Sequence, residues 1–292
     1  MASARVLAQA KVNLVLHALA REATGYHSIE TVFLRLDLAD AVRVRIADGR
    51  SLDCAGSAMP PRGLGPTEKN LAFRAALAYS EAVGWPHGFA IEVEKRIPVG
   101  AGLGGGSADA GAVLRALDAL SPNPLGPRLI ELATDLGADV PFMTIESPMA
   151  LGWGRGERLF SVPALDPRDV AVVVPDFAVS TPDAYAWVSA DRGTYAPAAA
   201  LIPPDSLATW EAVAAVASND FEAPVGRRHP QIAEIVDELD SMDTVLTMLS
   251  GSGSAVFGVF GTPPDVAAIT RSTGFTTIST RTSDRVFRVD VE

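Results

Sequence analysis

Cysteine is almost absent from this 292-residue chain. Its single thiol, Cys54, excludes an internal disulfide framework and any cysteine-based metal cluster. Four scattered histidines argue against a zinc site. No uncharged apolar run reaches the ~18 residues of a membrane span. The N-terminal MASARVLAQAKVNLVLHALA is apolar, but Lys11, Asn13 and His17 interrupt it, and it reads poorly as a signal peptide. Positive charge is short as well. A net charge of -11 argues against a broad nucleic-acid or acidic-membrane surface. The expectation is a cytoplasmic protein, a monomer or weak homodimer, with neither nucleic acid nor membrane as partner.

Lysine is scarcer still. Of the basic residues 21 are arginine, and only Lys11, Lys69 and Lys95 are lysine. Where arginine is the default cation, a lysine can mark a place that needs a compact ammonium, with chance as the alternative.

Apolar residues, by contrast, make up 48% of the chain, ample for one large domain or two ordinary ones. AKVNLVLHAL alternates as a strand, with Val12, Leu14 and Leu16 on one face and Lys11, Asn13 and His17 on the other. HSIETVFLRLDLADAVRVRIA predicts two more strands. Thr67 is placed to cap a helix over 68–83 that Gly84 ends. FAIEVEKRI predicts a strand that stops at Pro98. Further helices are expected over about 127–136, from TPDAYAWVS, and within HPQIAEIVDELDS, and a closing strand in RVFRVDVE. GADVPFM reads as a tight turn into an apolar segment. Strands and helices without strict alternation predict an α+β fold of two domains, 1–162 and 163–292.

The most informative stretch is PVGAGLGGGSADAGAVL, from Pro98 to Leu114. GAGLGG fits G-x-G-x-x-G, but no second strand with a terminal acid follows, which argues against a dinucleotide site. A Walker loop would need Gly-Lys-Ser/Thr, and a protein-kinase loop would need its partner motifs. What remains is a strand, a proline, a glycine arch and a helix with Ser107 as the expected N-cap. Backbone N–H groups in such an arch suit an anion, and side chains at Gly102, Gly104, Gly105 or Gly106 would hold a phosphate away. A mobile surface loop is the alternative.

This loop resembles the nucleotide loop of the GHMP kinases. Together with AKVNLVLHALAREATGYHSIETVF, LGADVPFM, VSTP and LSGSGSAVFG, it resembles, segment by segment, the 4-diphosphocytidyl-2-C-methyl-D-erythritol kinase family of that superfamily. The resemblance runs from residue 8 to about 260. It implies an N-terminal domain like ribosomal protein S5 domain 2, a ferredoxin-like C-terminal domain and an active site in the cleft between them. It implies ATP-dependent phosphorylation of the 2-hydroxyl of the methylerythritol unit, in the non-mevalonate route to isoprenoid precursors. A homoserine- or mevalonate-type kinase, or a silent nucleotide-binding regulator on the same fold, are the alternatives.

Residue by residue, the resemblance implies Asp139 as general base and Lys11 as catalytic lysine. By pattern alone Asp139 is a turn aspartate and Lys11 a strand lysine. The nucleotide contacts would be Asn70, Lys95, Pro98, Val99, Gly100, Ala101, Gly102, Leu103, Gly104, Gly105, Gly106, Ser107 and Ala108. The cytidylyl substrate would meet Asn13, Tyr26, His27, Asp139, Thr181 and Tyr185, with the base stacked between Tyr26 and Tyr185 and hydrogen-bonded by His27. Mg²⁺ is implied by ATP chemistry, without named ligands. Asp109 stands where some relatives have asparagine, and is expected either to turn away from the phosphate or to help hold the metal.

Overall fold

Two long antiparallel strands, β1 (Ser3–Arg21) and β2 (His27–Ile46), form the spine of the protein in a computed structural model that describes residues 2–21, 27–192 and 202–292. β2 runs unbroken where the sequence predicts two strands. Asp40, a charged residue inside that run, is fully buried in the sheet and satisfied there by Lys95 and two backbone amides, so the strand continues through it.

β3 (Arg50–Ala55) and β4 (Phe89–Glu94) lie parallel, joined through α1 (Leu71–Val83), and β4 pairs antiparallel with β2. Thr67 does not cap α1. Residues Thr67–Lys69 form a separate 3₁₀ turn, and the Asn70 side chain accepts from the Ala72 amide as the true N-cap. α2 (Gly105–Leu120) follows the glycine arch and packs on β1 and β2, with α1 and the short α4 (Val140–Thr144) against its sides. α3 (Leu129–Thr134) occupies part of the helix expected over 127–136. GADVPFM turns at Ala138 and Asp139 and runs, as expected, into an apolar segment, which is the short helix α4, because Pro141 suits a first helical turn. β5 (Met149–Gly154) and β6 (Arg158–Ser161) extend the sheet from β2.

The second half contains β7 (Asp169–Val174), α5 (Thr181–Arg192), α6 (Trp210–Val216), β8 (Ser218–Asn219), α7 (Glu222–Arg228), α8 (Pro230–Asp240), β9 (Thr244–Leu249), β10 (Val256–Phe260), α9 (Val266–Thr273), β11 (Thr276–Arg281) and β12 (Asp290–Val291). Its antiparallel sheet has the order β11-β7-β10-β9. That is fourth, first, third, second, the ferredoxin-like arrangement. The fold is therefore α+β with two sheets, as expected. Two short strands of the second half, β8 and β12, pair with β1 of the first sheet. The expected closing strand shrinks to β12, since the Phe287 amide is taken by the Gln9 side chain instead of a ladder. Among the described residues no helix is long and apolar enough to cross a membrane.

Candidate active site

Between the sheets lies a cleft of about 1490 Å³. Lys11 and Asn13 reach it from β1, where the pairing with β2 slips between Gln9 and Lys11 and again between Asn13 and Val15. Such irregularities re-aim side chains out of a regular pleat. Both residues are almost wholly buried. Lys11 Nζ donates to Asn13 Oδ1 at 2.8 Å and to the Gly102 carbonyl at 2.9 Å, and lies 3.7 Å from Asp139 Oδ2. Asn13 in turn donates to Thr31, so its carbonyl is fixed toward the ammonium.

Asp139 stands at the N-cap of α4, yet its side chain makes no cap hydrogen bond. The carboxylate is left facing Lys11 and the cleft, about one-third exposed. Arg35, which the sequence reading passed over, anchors the far end of this helix. It is buried, donates to the carbonyls of Phe142, Ile145 and Ser147, and stacks on the Phe142 ring. Burial, then the charge of Arg115, lowers its pKa to about 9. A cation on the last carbonyls of a helix is the favourable dipole arrangement.

The glycine arch is pinned on both sides. The Lys11 amide donates to the Leu103 carbonyl at 3.0 Å, and Ala255 donates to the Ala101 carbonyl at 3.1 Å. A Cβ on Gly102 would lie 2.1 Å from the Ser250 carbonyl oxygen, and one on Gly104, where φ is +71°, would lie 2.7 Å from Met143 Cε. These two glycines are thus required by the protein's own packing and backbone conformation as well. Gly106 differs. A Cβ there would meet only Leu71, at 3.8 Å. The N-cap of α2 is Gly104, not Ser107, and this N-terminus has no side-chain cap and no acidic residue in the first turn. Its leading N–H groups are the kind of unsatisfied donors that bind anions.

At the other end of the cleft His27 stacks on Tyr185, with centroids 4.8 Å apart, and bonds Ser189 at 3.1 Å. Phe221 packs edge-on against the same tyrosine. Burial, and then the Asp139 charge, pushes the Tyr185 phenol up to about 12. The ring against Tyr185 is therefore His27; Tyr26, the expected second stacking ring, lies outside the described residues. Thr181 bonds Ser252 at 2.9 Å.

Of the expected residues, Lys11, Asn13, His27, Gly102, Gly104, Ser107, Asp139, Thr181 and Tyr185 line one cleft. Ala101, Leu103 and Ala108 are buried in the core behind it, and Pro98, Val99, Gly100, Gly105 and Gly106 are not in its lining. Asn70 spends its carbonyl on capping α1. Lys95 is buried in an ion cluster with Asp40 and Asp109, so Asp109 turns inward. Arg74, Arg155, Arg158, Gly251 and Ser252 also line the cleft and were not singled out. The SGSGS repeat was the available signal for the last two. The arginines carried none, being ordinary in an arginine-rich chain.

Residues 70–147 match the GHMP kinases N terminal domain and residues 206–273 the GHMP kinases C terminal domain. A curated 4-diphosphocytidyl-2-C-methyl-D-erythritol kinase of Salinibacter ruber is 37% identical over 259 residues, 87% of this chain and 88% of that protein. One from Syntrophotalea carbinolica is 36% identical over 97% of each chain. The chain belongs to the 4-diphosphocytidyl-2-C-methyl-D-erythritol kinase family. A crystal structure of a 4-(cytidine 5'-diphospho)-2C-methyl-D-erythritol kinase superposes with a TM-score of 0.77 at 36% identity, covering 96% of this chain and 99% of that one. A homoserine kinase from Cytophaga hutchinsonii, at 16% identity and TM-score 0.68, shares the fold alone.

Proposed function

We propose that this protein transfers the γ-phosphoryl group of ATP to the 2-hydroxyl of 4-diphosphocytidyl-2-C-methyl-D-erythritol, giving the 2-phosphate, in the non-mevalonate route to isoprenoid precursors. The observation that carries the reading is the Lys11–Asp139 pair beside the uncapped N-terminus of α2, with the His27–Tyr185 stack in the same cleft. Asp139 takes the hydroxyl proton as the oxygen attacks the γ-phosphorus, and the bond to the β–γ bridging oxygen breaks with its electrons leaving on ADP. The Lys11 ammonium and the amides of α2 face the charge that develops on the phosphoryl oxygens. Asn13 holds the ammonium in position, and Tyr185 and His27 supply flat surface and ring nitrogens for cytosine. Both substrates are anionic, and Arg74, Arg155 and Arg158 give an otherwise acidic protein cations along this cleft.

Mg²⁺ fits as an ion delivered with ATP. No group of three or more His, Cys, Asp or Glu side chains able to hold a metal exists among the described residues. Mg²⁺ commonly takes its ligands from phosphates, water and one or two protein oxygens, and Ser107 and Asp139 offer such oxygens here. When bound it would offset phosphate charge. We assign nucleotide binding to residues 1–162 and closure of the substrate end to 163–292. We further propose a cytoplasmic monomer or weak homodimer.

The test is incubation of the protein with Mg-ATP and the cytidylyl alcohol, with ³¹P NMR of the product. A new phosphomonoester at the 2-position, with no ADP release on homoserine or mevalonate, is expected. Turnover on either of those acids instead, or tight binding of both ligands without turnover, would overturn the reading.

A further inference from the structure

Lys95 sits directly behind the glycine arch, where a Cβ on Gly105 would lie 3.5 Å from its ammonium. It is nevertheless closed off from the cleft, at 2% exposure. The ammonium donates to Asp40 on β2 and, at 2.7 Å, to Asp109 on α2. The second oxygen of Asp40 accepts the backbone amides of Arg96 at 2.5 Å and Ile97 at 2.8 Å, the residues that lead into the arch. One cation thus joins the strand before the arch to the helix after it, through two buried carboxylates. Asp109 Oδ1 is buried with no hydrogen-bond partner.

We propose that Asp40, Lys95 and Asp109 form a buried ionic clasp that sets the shape of the nucleotide loop, so that Lys95 is a positioning residue and does not touch the nucleotide. The inference rests on the arch being the nucleotide site. Reaching the nucleotide would require Lys95 to abandon both carboxylates, leaving two unpaired charges in the core, which is strongly unfavourable. The clasp also carries more negative than positive charge beneath a loop that must receive phosphates. Burial, with the nearby Asp40 charge and against the pull of Lys95, raises the Asp109 carboxyl to about 7. The groups facing it are Lys95, Asp40 and, on β3, Cys54. Lys95 is raised above its ordinary value, its two carboxylates overcoming burial, and the Cys54 thiol is pushed up to about 11 by burial first and the Asp109 charge next. Neither titrates near neutrality, so Asp109 is the group that adds charge to the clasp there.

The experiment compares Lys95→Met, Asp109→Asn and the double variant by calorimetric ATP affinity and steady-state kinetics, with Gly106→Val as a control on the loop. Lys95→Met strands two carboxylates and should weaken ATP about 10- to 100-fold, the loss expected of a displaced positioning group. The double variant strands one carboxylate instead of two, Asp40 keeping only the Arg96 and Ile97 amides, and should recover ATP affinity at least about threefold over Lys95→Met, since the two sites are directly coupled. A double variant as weak as Lys95→Met would show direct contact and overturn the proposal. So would a Lys95→Met protein that loses thermal stability but keeps its ATP affinity. Should Lys95→Met not fold, the pH profile of Asp109→Asn decides. The wild-type KM for ATP, divided by that of Asp109→Asn, should rise from pH 6 to pH 8 about a common apparent pKa of about 7. A ratio of one at every pH, with Asp109→Asn leaving the KM for ATP untouched, would overturn the clasp. Unchanged ATP affinity in Gly106→Val would instead remove the nucleotide-loop reading on which the clasp depends.

Discussion

The Lys11 ammonium lies 3.7 Å from the Asp139 carboxylate and is held there by Asn13 and the Gly102 carbonyl, so strand β1, the glycine arch and helix α4 converge on one charge pair. Removing the proposed proton acceptor while keeping its shape is the direct test of this pair. Asp139→Asn should lower kcat roughly 10²- to 10⁴-fold, with the affinity for both substrates nearly unchanged. Activity within a few-fold of wild type would take Asp139 out of the chemistry.

Lys11→Arg separates charge from shape. The ammonium is enclosed by Asn13, Gly102 and Asp139, and its stem lies close to where a Gly104 side chain would be. A planar guanidinium would pair with Asp139 through two hydrogen bonds and hold the carboxylate off the hydroxyl. At least about tenfold loss in kcat is expected, roughly 1.4 kcal/mol of barrier. Full activity in the arginine variant would show that positive charge alone suffices.

Tyr185, the aromatic surface proposed to meet the cytidylyl group, is fixed between His27 and Phe221. Tyr185→Ala should weaken the cytidylyl substrate by about 1–3 kcal/mol, the range for loss of base–aromatic stacking. ATP affinity should stay within about twofold. Titration calorimetry with each ligand reads both, and selective loss of ATP would mean the two ends were assigned in reverse.

Two glycines of one loop should fail for different reasons. Gly102→Ala places a methyl group 2.1 Å from the Ser250 oxygen and should lower Tm as well as activity. A Cβ on Gly106 meets only Leu71, at 3.8 Å, so the Tm of Gly106→Val should move by no more than a few degrees while ATP binding is lost. Differential scanning fluorimetry beside ATP titration distinguishes them. Equal destabilisation by both would reduce the arch to a packing element.

Asp109 predicts the sign of a stability change with pH. Its folded pKa of about 7 stands above its ordinary 3.8. Between these values the folded protein holds a proton that the unfolded chain has released, so this group's contribution is full below pH 4 and is lost as pH rises to 7. Asp109→Asn removes the dependence. The Tm of the variant minus that of wild type should therefore increase across pH 4.5–7.5 and level off above, and a difference independent of pH would place the carboxylate in a less buried setting.

The sequence by itself determined the local elements whose meaning is carried by spacing: the alternating strand that presents Lys11 and Asn13, the glycine arch followed by a helix, and Asp139 ahead of Pro141. Each is written within a few consecutive residues, where period and backbone permission are decisive. Only the tertiary structure decided which groups those elements meet. It kept β2 in one piece because Lys95 neutralises Asp40, and it placed Arg35 on the carbonyls of α4 to set the helix that carries Asp139. It turned Lys95 and Asp109 toward each other and away from the cleft, and pressed Gly102 against Ser250 from the other half of the chain. The physical reason is the same in each case: a buried charge or a close backbone approach is stabilised by a partner distant in sequence, and no local pattern records which partner that is.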